Sequence, residues 1–224
     1  MRIASYSDIH LEFETPLPVI DAVEADLLVL SGDITTLPMI SRLGEMLQNW
    51  QKPVLYVLGN HEYYHRNKTM NVVLQGFQEY CQQTLPNLTI LDNQAIEIDG
   101  VHFFGGTMWT DFDNGNALQM IEAHQKLNDF RTIHYREQRR LTPDDTRALH
   151  RHFREALAHW MDAPLTGPRV VISHHCPAYN PATLYKGSSL QGAFVARTME
   201  EVILNQGPDL WFYGHTHEID DRII

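Results

Sequence analysis

The chain has 224 residues, of which 43% are hydrophobic and 20% are charged, and its formal net charge is −11 at pH 7. A chain of this length and apolar content can bury a sizeable core, which excludes an intrinsically disordered protein. The acidic balance argues against a large nucleic-acid-binding surface, because such surfaces gain most of their affinity from basic contacts to phosphates.

Two cysteines, Cys81 and Cys176, do not make a disulfide framework, and reduced thiols are the simpler interpretation. No stretch is apolar and long enough for a signal peptide or a membrane span. We therefore expect a soluble, cytoplasmic protein with no membrane partner.

Short apolar runs along the chain predict strands at 3–6, 27–30, 54–58, 101–104, 170–172 and 210–213. The segments between the first three runs are long enough for crossover helices. Residues 37–50, for example, place Ile40, Leu43, Leu47 and Trp50 at helical spacing. Strands that alternate with helices predict an α/β fold with mostly buried strands.

A different pattern follows at 95–106. Ile96 and Ile98 alternate with polar residues, and Asp99-Gly100 then forms a two-residue turn into the run at 101. This is the pattern of a β-hairpin, so part of the sheet structure should be antiparallel.

The segment around 112–168 is predicted to be a helical insertion within a single domain that covers 1–224. Thr142 and Pro143 form a helix start signal, and Leu149, Phe153 and Leu157 mark a buried stripe after it. Five histidines of this segment lack motif spacing, and we expect them on solvated helix faces: His124, His134, His150, His152 and His159.

Five of the predicted strands are followed at once by side chains that can bind a metal ion or transfer a proton. Ligands in open α/β sheets bind just beyond the carboxyl ends of strands, so these groups can converge on one site. In chain order the segments are Ser7-Asp8-Ile9-His10, Ser31-Gly32-Asp33, Gly59-Asn60-His61-Glu62, Ser173-His174-His175 and Gly214-His215-Thr216-His217.

The donor types in these segments indicate a metal site. Oxygen and imidazole donors without thiolates suit Mn, Fe or Zn. The i, i+2 spacing of Asp8 with His10, and of His215 with His217, would place both side chains on one side of an extended backbone. Seven donors with one shared carboxylate are enough for two ions, an arrangement that can clamp phosphoryl transfer.

The motifs SDIH, SGD, GNHE, VISHH and GHTH, in this order, resemble the calcineurin-like metallophosphoesterase family, and they span nearly the whole chain. The resemblance implies a β-sandwich of mixed sheets flanked by helices and two divalent ions, with manganese favoured. It implies one ion held by Asp8, His10 and His217, a second held by Asn60, His174 and His215, and Asp33 as the bridge.

The same resemblance implies that a hydroxide between the metals attacks phosphorus in line, while His61 contacts the phosphate and assists the leaving oxygen. His174 and His175 compete for one ligand position, and the family pattern Val-x-x-His favours His174. Glu62 is expected to orient a neighbouring histidine, and Cys176 to fill a buried gap.

Substrate contacts are less specified by the sequence. His175, Trp109 and Tyr63 are near motif ends and can line a substrate cleft, although packing under a loop is an equal alternative. After SGD the chain reads Ile34-Thr35-Thr36 and lacks the Asp-Arg-Gly stretch of the protein-phosphatase and dinucleoside-polyphosphatase branches. The chain also ends seven residues after His217, which suggests a domain that is short at its C-terminus.

The leading functional hypothesis is a metal-dependent phosphodiesterase that acts on a small nucleotide-like phosphate ester. A non-catalytic metal-binding interaction module on the same fold is the alternative from another class, and a nuclease is the alternative within the enzymes. The acidic net charge argues mildly against the nuclease. The sequence does not specify an oligomeric state.

Overall fold

Two four-stranded sheets lie face to face, and helices cover their outer surfaces, in a computed structural model of the chain. The structure describes residues 1–13, 16–20, 23–179 and 187–224. Within these residues the strands are β1 (Ile3–Tyr6), β2 (Leu27–Ser31), β3 (Val54–Val57), β4 (Leu88–Ile90), β5 (Gln94–Ile98), β6 (Val101–Gly106), β7 (His134–Arg136), β8 (Arg139–Arg140), β9 (Arg169–Ser173) and β10 (Leu210–Phe212).

The helices of the described residues include several of only one turn. They are α1 (Ser41–Leu47), α2 (Met70–Thr84), α3 (Phe112–Gly115), α4 (Ala117–Lys126), α5 (Asp129–Thr132), α6 (Pro143–Met161), α7 (Gln191–Phe194) and α8 (Met199–Gln206). None of these helices is both long enough and apolar enough to cross a membrane.

The first sheet has the order β1-β2-β3-β4, and all of its strands are parallel. Every residue of β2 and β3 is buried, as expected for parallel strands that are covered on both faces. One face packs on α1 and α2 through Leu28, Leu30 and Tyr56.

The second sheet has the order β10-β9-β6-β5. The strands β6, β9 and β10 are parallel, and β5 joins them by the antiparallel hairpin that Asp99-Gly100 predicted. Leu27, Val29 and Leu55 of the first sheet pack against Phe103 and other inner residues of the second. The predicted α/β fold with mixed sheets and flanking helices is therefore confirmed.

The outer face of the second sheet packs on α6 and α8. Phe104 of β6 contacts Phe153 edge to face, with ring centroids 5.3 Å apart, and it stacks on Trp160. The predicted start of α6 is confirmed by a capping box, in which Thr142 Oγ1 accepts from Asp145 N and an Asp145 carboxylate oxygen accepts from Thr142 N.

The segment 112–168 departs from the sequence prediction in two ways. It contains the antiparallel pair β7 and β8, so His134 lies in a strand and not on a helix face as expected; these strands are too short and too charged to give an apolar run. His150 was expected on a solvated face of α6, but it is only 1% exposed. It lies on the buried stripe of α6 because it is three residues before Phe153 and seven before Leu157.

Candidate metal centre

The carboxyl ends of strands from both sheets meet at one edge of the sandwich, and the polar segments predicted to converge lie there. Asp8 and His10 follow β1, Asp33 follows β2, and Asn60 follows β3. His174 follows β9, while His215 and His217 follow β10. Parallel strands within each sheet present their ends at the same edge, which explains the convergence.

Among the described residues, potential ligand atoms form three overlapping groups, and within each group the atoms lie within 4.8 Å of one another. Asp33 belongs to two of the groups, and Asn60 adjoins one of them because its Oδ1 lies 3.0 Å from His174 Nε2. The groups are Asp8, His10 and His217; His10, Asp33 and His61; and Asp33, His174 and His215.

The distances within the groups bring lone pairs towards one another. His10 Nε2 lies 3.3 Å from His217 Nε2, and His174 Nε2 lies 3.1 Å from His215 Nδ1. Two neutral imidazole nitrogens at such distances repel unless a proton or a cation is shared between them. Together with nearby carboxylate and amide oxygens and no thiolate, this donor set fits divalent transition-metal ions.

Several of these residues have an unusual backbone conformation. The φ angles are 53° at Asp8, 51° at His10, 53° at Asp33, 69° at His215 and 57° at His217. The i, i+2 spacing predicted an extended backbone at both pairs, and that prediction is wrong. Left-handed backbone is costly for residues other than glycine and clusters at functional sites.

Glycines allow the strand ends to approach closely. A methyl group on Gly59 would overlap the carboxylate of Asp33, and one on Gly32 would overlap the ring of His174. Gly32 also has a φ of +86°, which glycine adopts without strain. Side chains at either position would separate the two sheets' contributions to the site.

Glu12 joins two histidines of the site, although no motif in the sequence points to it. Its Oε1 lies 3.0 Å from His10 Nδ1 and 2.9 Å from His61 Nδ1. Burial raises the pKa of Glu12, but hydrogen bonds from His10 and His61 outweigh burial and lower it to about 2. A carboxylate on Nδ1 fixes the ring orientation and turns Nε2 towards the site.

The environment of His61 is suited to a protonated ring. Burial opposes the charged form, but the hydrogen bond to Glu12 and the charge on Asp33 raise the pKa of His61 above its ordinary value. Its backbone N–H donates to Asp33 Oδ1 at 2.9 Å, and its ring stacks on Tyr64 with centroids 4.4 Å apart.

Asp129 orients Asn60 and also escaped the sequence argument. Asn60 Nδ2 donates to Asp129 Oδ1 at 2.8 Å, and Tyr64 donates to the same oxygen at 2.5 Å. Since the amide nitrogen is engaged by Asp129, Asn60 Oδ1 faces His174. No local spacing could have identified Asp129, because it follows α4, far along the chain from Asn60.

Glu62 does not orient a histidine as expected. It is fully buried and accepts hydrogen bonds from Gly59 N at 2.7 Å, Ile34 N at 2.7 Å and Asp33 N at 3.0 Å. Tyr56 also donates to it at 2.5 Å. Burial and the charge on Asp33 raise the pKa of Glu62 to about 7, against the opposing effect of these donors. Glu62 thus ties the loop after β2 to the loop after β3.

The two adjacent histidines after β9 point in different directions. His174 Nδ1 donates to the carbonyl of Ser31 at 2.8 Å, which leaves Nε2 facing the site. His175 instead bonds through Nδ1 to the carbonyl of Thr107 at 3.2 Å, and its ring is at 88° to that of His174. Burial and the charge on His174 lower the pKa of His175 to about 3.

The residues suggested for substrate contact are packed inside the protein. Tyr63 is 5% exposed, Trp109 is 4% exposed and His175 is 2% exposed. Trp109 packs on His175 with ring centroids 5.1 Å apart. Their burial weighs against direct substrate contact and favours the packing alternative. Cys176 is fully buried, and its Sγ donates to Ala178 O at 2.9 Å.

An open cleft of about 320 Å³ lies over the centre. Asp33, Asn60, His61 and His215 line its floor, while Tyr64, Lys126 and Thr216 are among its other lining residues. Phe13 stands close to the same site and is 67% exposed. Its ring centroid lies 5.7 Å from that of His10 and 6.2 Å from that of His61.

The family comparison agrees with this geometry. Residues 1–218 match the family model described as calcineurin-like phosphoesterase, and the chain belongs to that family. Family membership and the groups of potential ligands support metal-dependent hydrolysis of phosphate esters as its activity.

Individual proteins that resemble the chain have low sequence identity to it. The chain is 27% identical over 248 residues to uncharacterized protein L509 of Acanthamoeba polyphaga mimivirus, covering 97% of this chain and 85% of the viral one. The crystal structure of phosphopantetheinyl hydrolase PptH from Mycobacterium tuberculosis superposes with a TM-score of 0.76 at 16% identity, over 100% of this chain and 85% of that one. A second solved structure gives a TM-score of 0.62 at 12% identity, over 99% of this chain and 86% of that one. These two structures are similar in fold.

Proposed function

We propose that the chain hydrolyses a phosphodiester of a small nucleotide-like molecule and uses two divalent ions, with manganese favoured. The observation that carries the proposal is the overlap of the three ligand groups through His10 and Asp33, with His61 lining the open cleft. Because ligands come from both sheets, we also propose that residues 1–224 act as one domain.

The proposed ligand sets follow the two sides of the cluster. Asp8, His10 and His217 hold one ion, and Asn60, His174 and His215 hold the other. Asp33 bridges them, since Oδ2 lies 3.8 Å from His10 Nε2 and Oδ1 lies 3.4 Å from His174 Nε2. Bound ions supply a nucleophile by lowering the pKa of water, and they neutralise charge on the phosphate.

His61 is proposed to bind a phosphate oxygen and to protonate the leaving oxygen. Its Nδ1 is engaged by Glu12, which leaves Nε2 as the group available to a substrate. Stacking on Tyr64 and the bond from its backbone N–H to Asp33 limit the movement of the ring. A positioned proton donor next to the cluster supports an enzyme over a non-catalytic metal-binding module.

Phe13 supports a substrate with a planar organic group. An aromatic side chain that is 67% exposed beside two site histidines can stack on a nucleobase or a similar ring. The organic group on a phosphodiester would then extend from the centre over Phe13.

The test is hydrolysis of bis(p-nitrophenyl) phosphate by protein stripped of metal, with and without added Mn²⁺. We expect turnover only with metal, and much slower turnover of the monoester p-nitrophenyl phosphate. Binding of metal without any turnover would instead support the interaction module. Faster turnover of single-stranded DNA than of small diesters would support the nuclease. If small diesters are the better substrates, assays with 2′,3′-cyclic AMP and a phosphopantetheinyl ester would refine the substrate class.

A further inference from the structure

A second cleft, of about 400 Å³, lies beside α6 and contains polar groups that the metal centre does not use. Its volume falls in the range of small-molecule sites, roughly 300–1,000 Å³. Its polar lining residues are Asp111, Asn114, Asp144 and His150, together with three arginines of α6, which are Arg147, Arg151 and Arg154.

The ring of His150 contains a buried hydrogen-bond acceptor, Nε2, that receives no hydrogen bond from the described residues. Its Nδ1 donates to the backbone carbonyls of Trp109 and Met108, at 3.2 Å and 3.3 Å. Burial lowers the pKa of His150, against the opposing charge of Asp111, so its ring is neutral at pH 7. In this tautomer Nε2 is a lone-pair acceptor, and it is buried with no hydrogen-bond partner among the described residues.

Asp111 adds a second acceptor of the same kind. One of its oxygens accepts from Thr198 Oγ1 at 3.0 Å. The other, Oδ1, is buried and has no hydrogen-bond partner in the described part of the chain. Unsatisfied buried acceptors are costly, so two of them on residues that line the same cleft indicate a missing donor.

The three arginines of α6 give the same cleft positive charge, in addition to the acceptors of His150 and Asp111. Arg147 lies 3.4 Å from Asp144, and Arg151 lies 4.0 Å from Glu155. Arg154 is half-buried and has no carboxylate within 4.0 Å among the residues that the structure describes. An unpaired, half-buried guanidinium in a chain of net charge −11 is a suitable partner for an anionic group.

We propose that this cleft binds a small zwitterionic molecule, whose anionic phosphate pairs with Arg154 and whose amine donates to His150 Nε2 and Asp111 Oδ1. The site is separate from the metal centre, since the two clefts share no lining residue. The inference does not depend on the proposed phosphodiesterase activity.

The probe is O-phosphoethanolamine, which joins a phosphate to an amine, titrated calorimetrically into metal-free protein in the presence of EDTA. We expect one binding site, retained in His61→Ala. Ethyl phosphate, which lacks the amine, should bind at least about tenfold more weakly, because it cannot form the charge-assisted hydrogen bonds to His150 and Asp111.

Variants then assign the binding to this cleft. Arg154→Gln should weaken binding by about tenfold or more, as should Asp111→Asn, and thermal melting checks that both variants fold. Arg136→Gln removes an exposed arginine that does not line the cleft and should bind like the wild type. Absence of binding to the wild type, equal binding to Arg154→Gln, or equal affinity for ethyl phosphate would each overturn the proposal.

Discussion

The two sheets position their parts of the candidate centre by different means. On the first sheet, carboxylates hold the site: Glu12 engages His10 and His61, and Asp129 engages Asn60. On the second sheet, the ring of His174 is held by the backbone, because its Nδ1 donates to the carbonyl of Ser31 at the end of β2.

The difference determines what a single substitution can change. A carboxylate can be replaced while the fold is kept, so the first sheet's ligands can be misoriented without being removed. A backbone carbonyl cannot be replaced in this way. Function on the second sheet should therefore be sensitive at the ligands themselves, whereas on the first sheet it should also be sensitive at their supporting residues.

Asp33→Asn tests the residue that joins the two halves and should have the largest effect. The amide keeps the shape but loses the charge that two ligand groups share. We expect turnover to fall by about a thousandfold and bound metal to fall below two ions per chain. Metal analysis by mass spectrometry, together with the diester assay, measures both.

The matched control for that variant is Asp99→Asn. Asp99 lies in the hairpin turn with a φ of 50°, a conformation that asparagine also tolerates, so this variant should behave like the wild type. Unchanged metal content in Asp33→Asn would contradict a bridging role.

His61→Ala separates chemistry from metal binding. Loss of a positioned proton donor should lower kcat by about a hundredfold to ten-thousandfold, while both ions stay bound. His65→Ala, which removes a histidine outside the three ligand groups, is the control. A near-normal kcat for His61→Ala would remove its proposed role in catalysis.

Glu12→Gln tests the supporting role of carboxylates on the first sheet directly. The loss of charge should loosen His10 and His61 and lower kcat/KM by about tenfold to a hundredfold, the usual effect of such partners. Glu24→Gln, at an exposed glutamate paired with Arg2, should have no such effect. If Glu12→Gln retained full activity, the difference in how the two sheets hold their site residues would have no effect on function.

Cys176→Ser should have the smallest effect. The serine hydroxyl can donate to Ala178 O as the thiol does, and Cys176 belongs to none of the three ligand groups. Metal content and kcat should therefore equal those of the wild type, and metal analysis with the diester assay checks both. A lost ion would instead identify Cys176 as a ligand.

Local pattern was enough to predict the strands that end at the site and the polar segments that follow them. The apolar run at 3–6 is β1, the runs at 27, 54, 101, 170 and 210 each begin within one residue of a strand, and Asp99-Gly100 is the predicted turn. The strand β4 escaped because it has only three residues, with a polar threonine at its centre. The ligand roles stay predictions, although the structure brings all the proposed ligands together.

What the sequence determined by itself is therefore the strands that end at the site, their polar ends and the family to which the chain belongs. Those properties follow from short stretches of consecutive residues, because apolar periodicity and short motifs are local features of the sequence. The tertiary structure alone decided that Glu12 and Asp129 support the site, that Glu62 ties two loops together, and that His150 is buried. These roles depend on contacts between residues far apart in the chain or on the packing of a whole helix face, which no local spacing records.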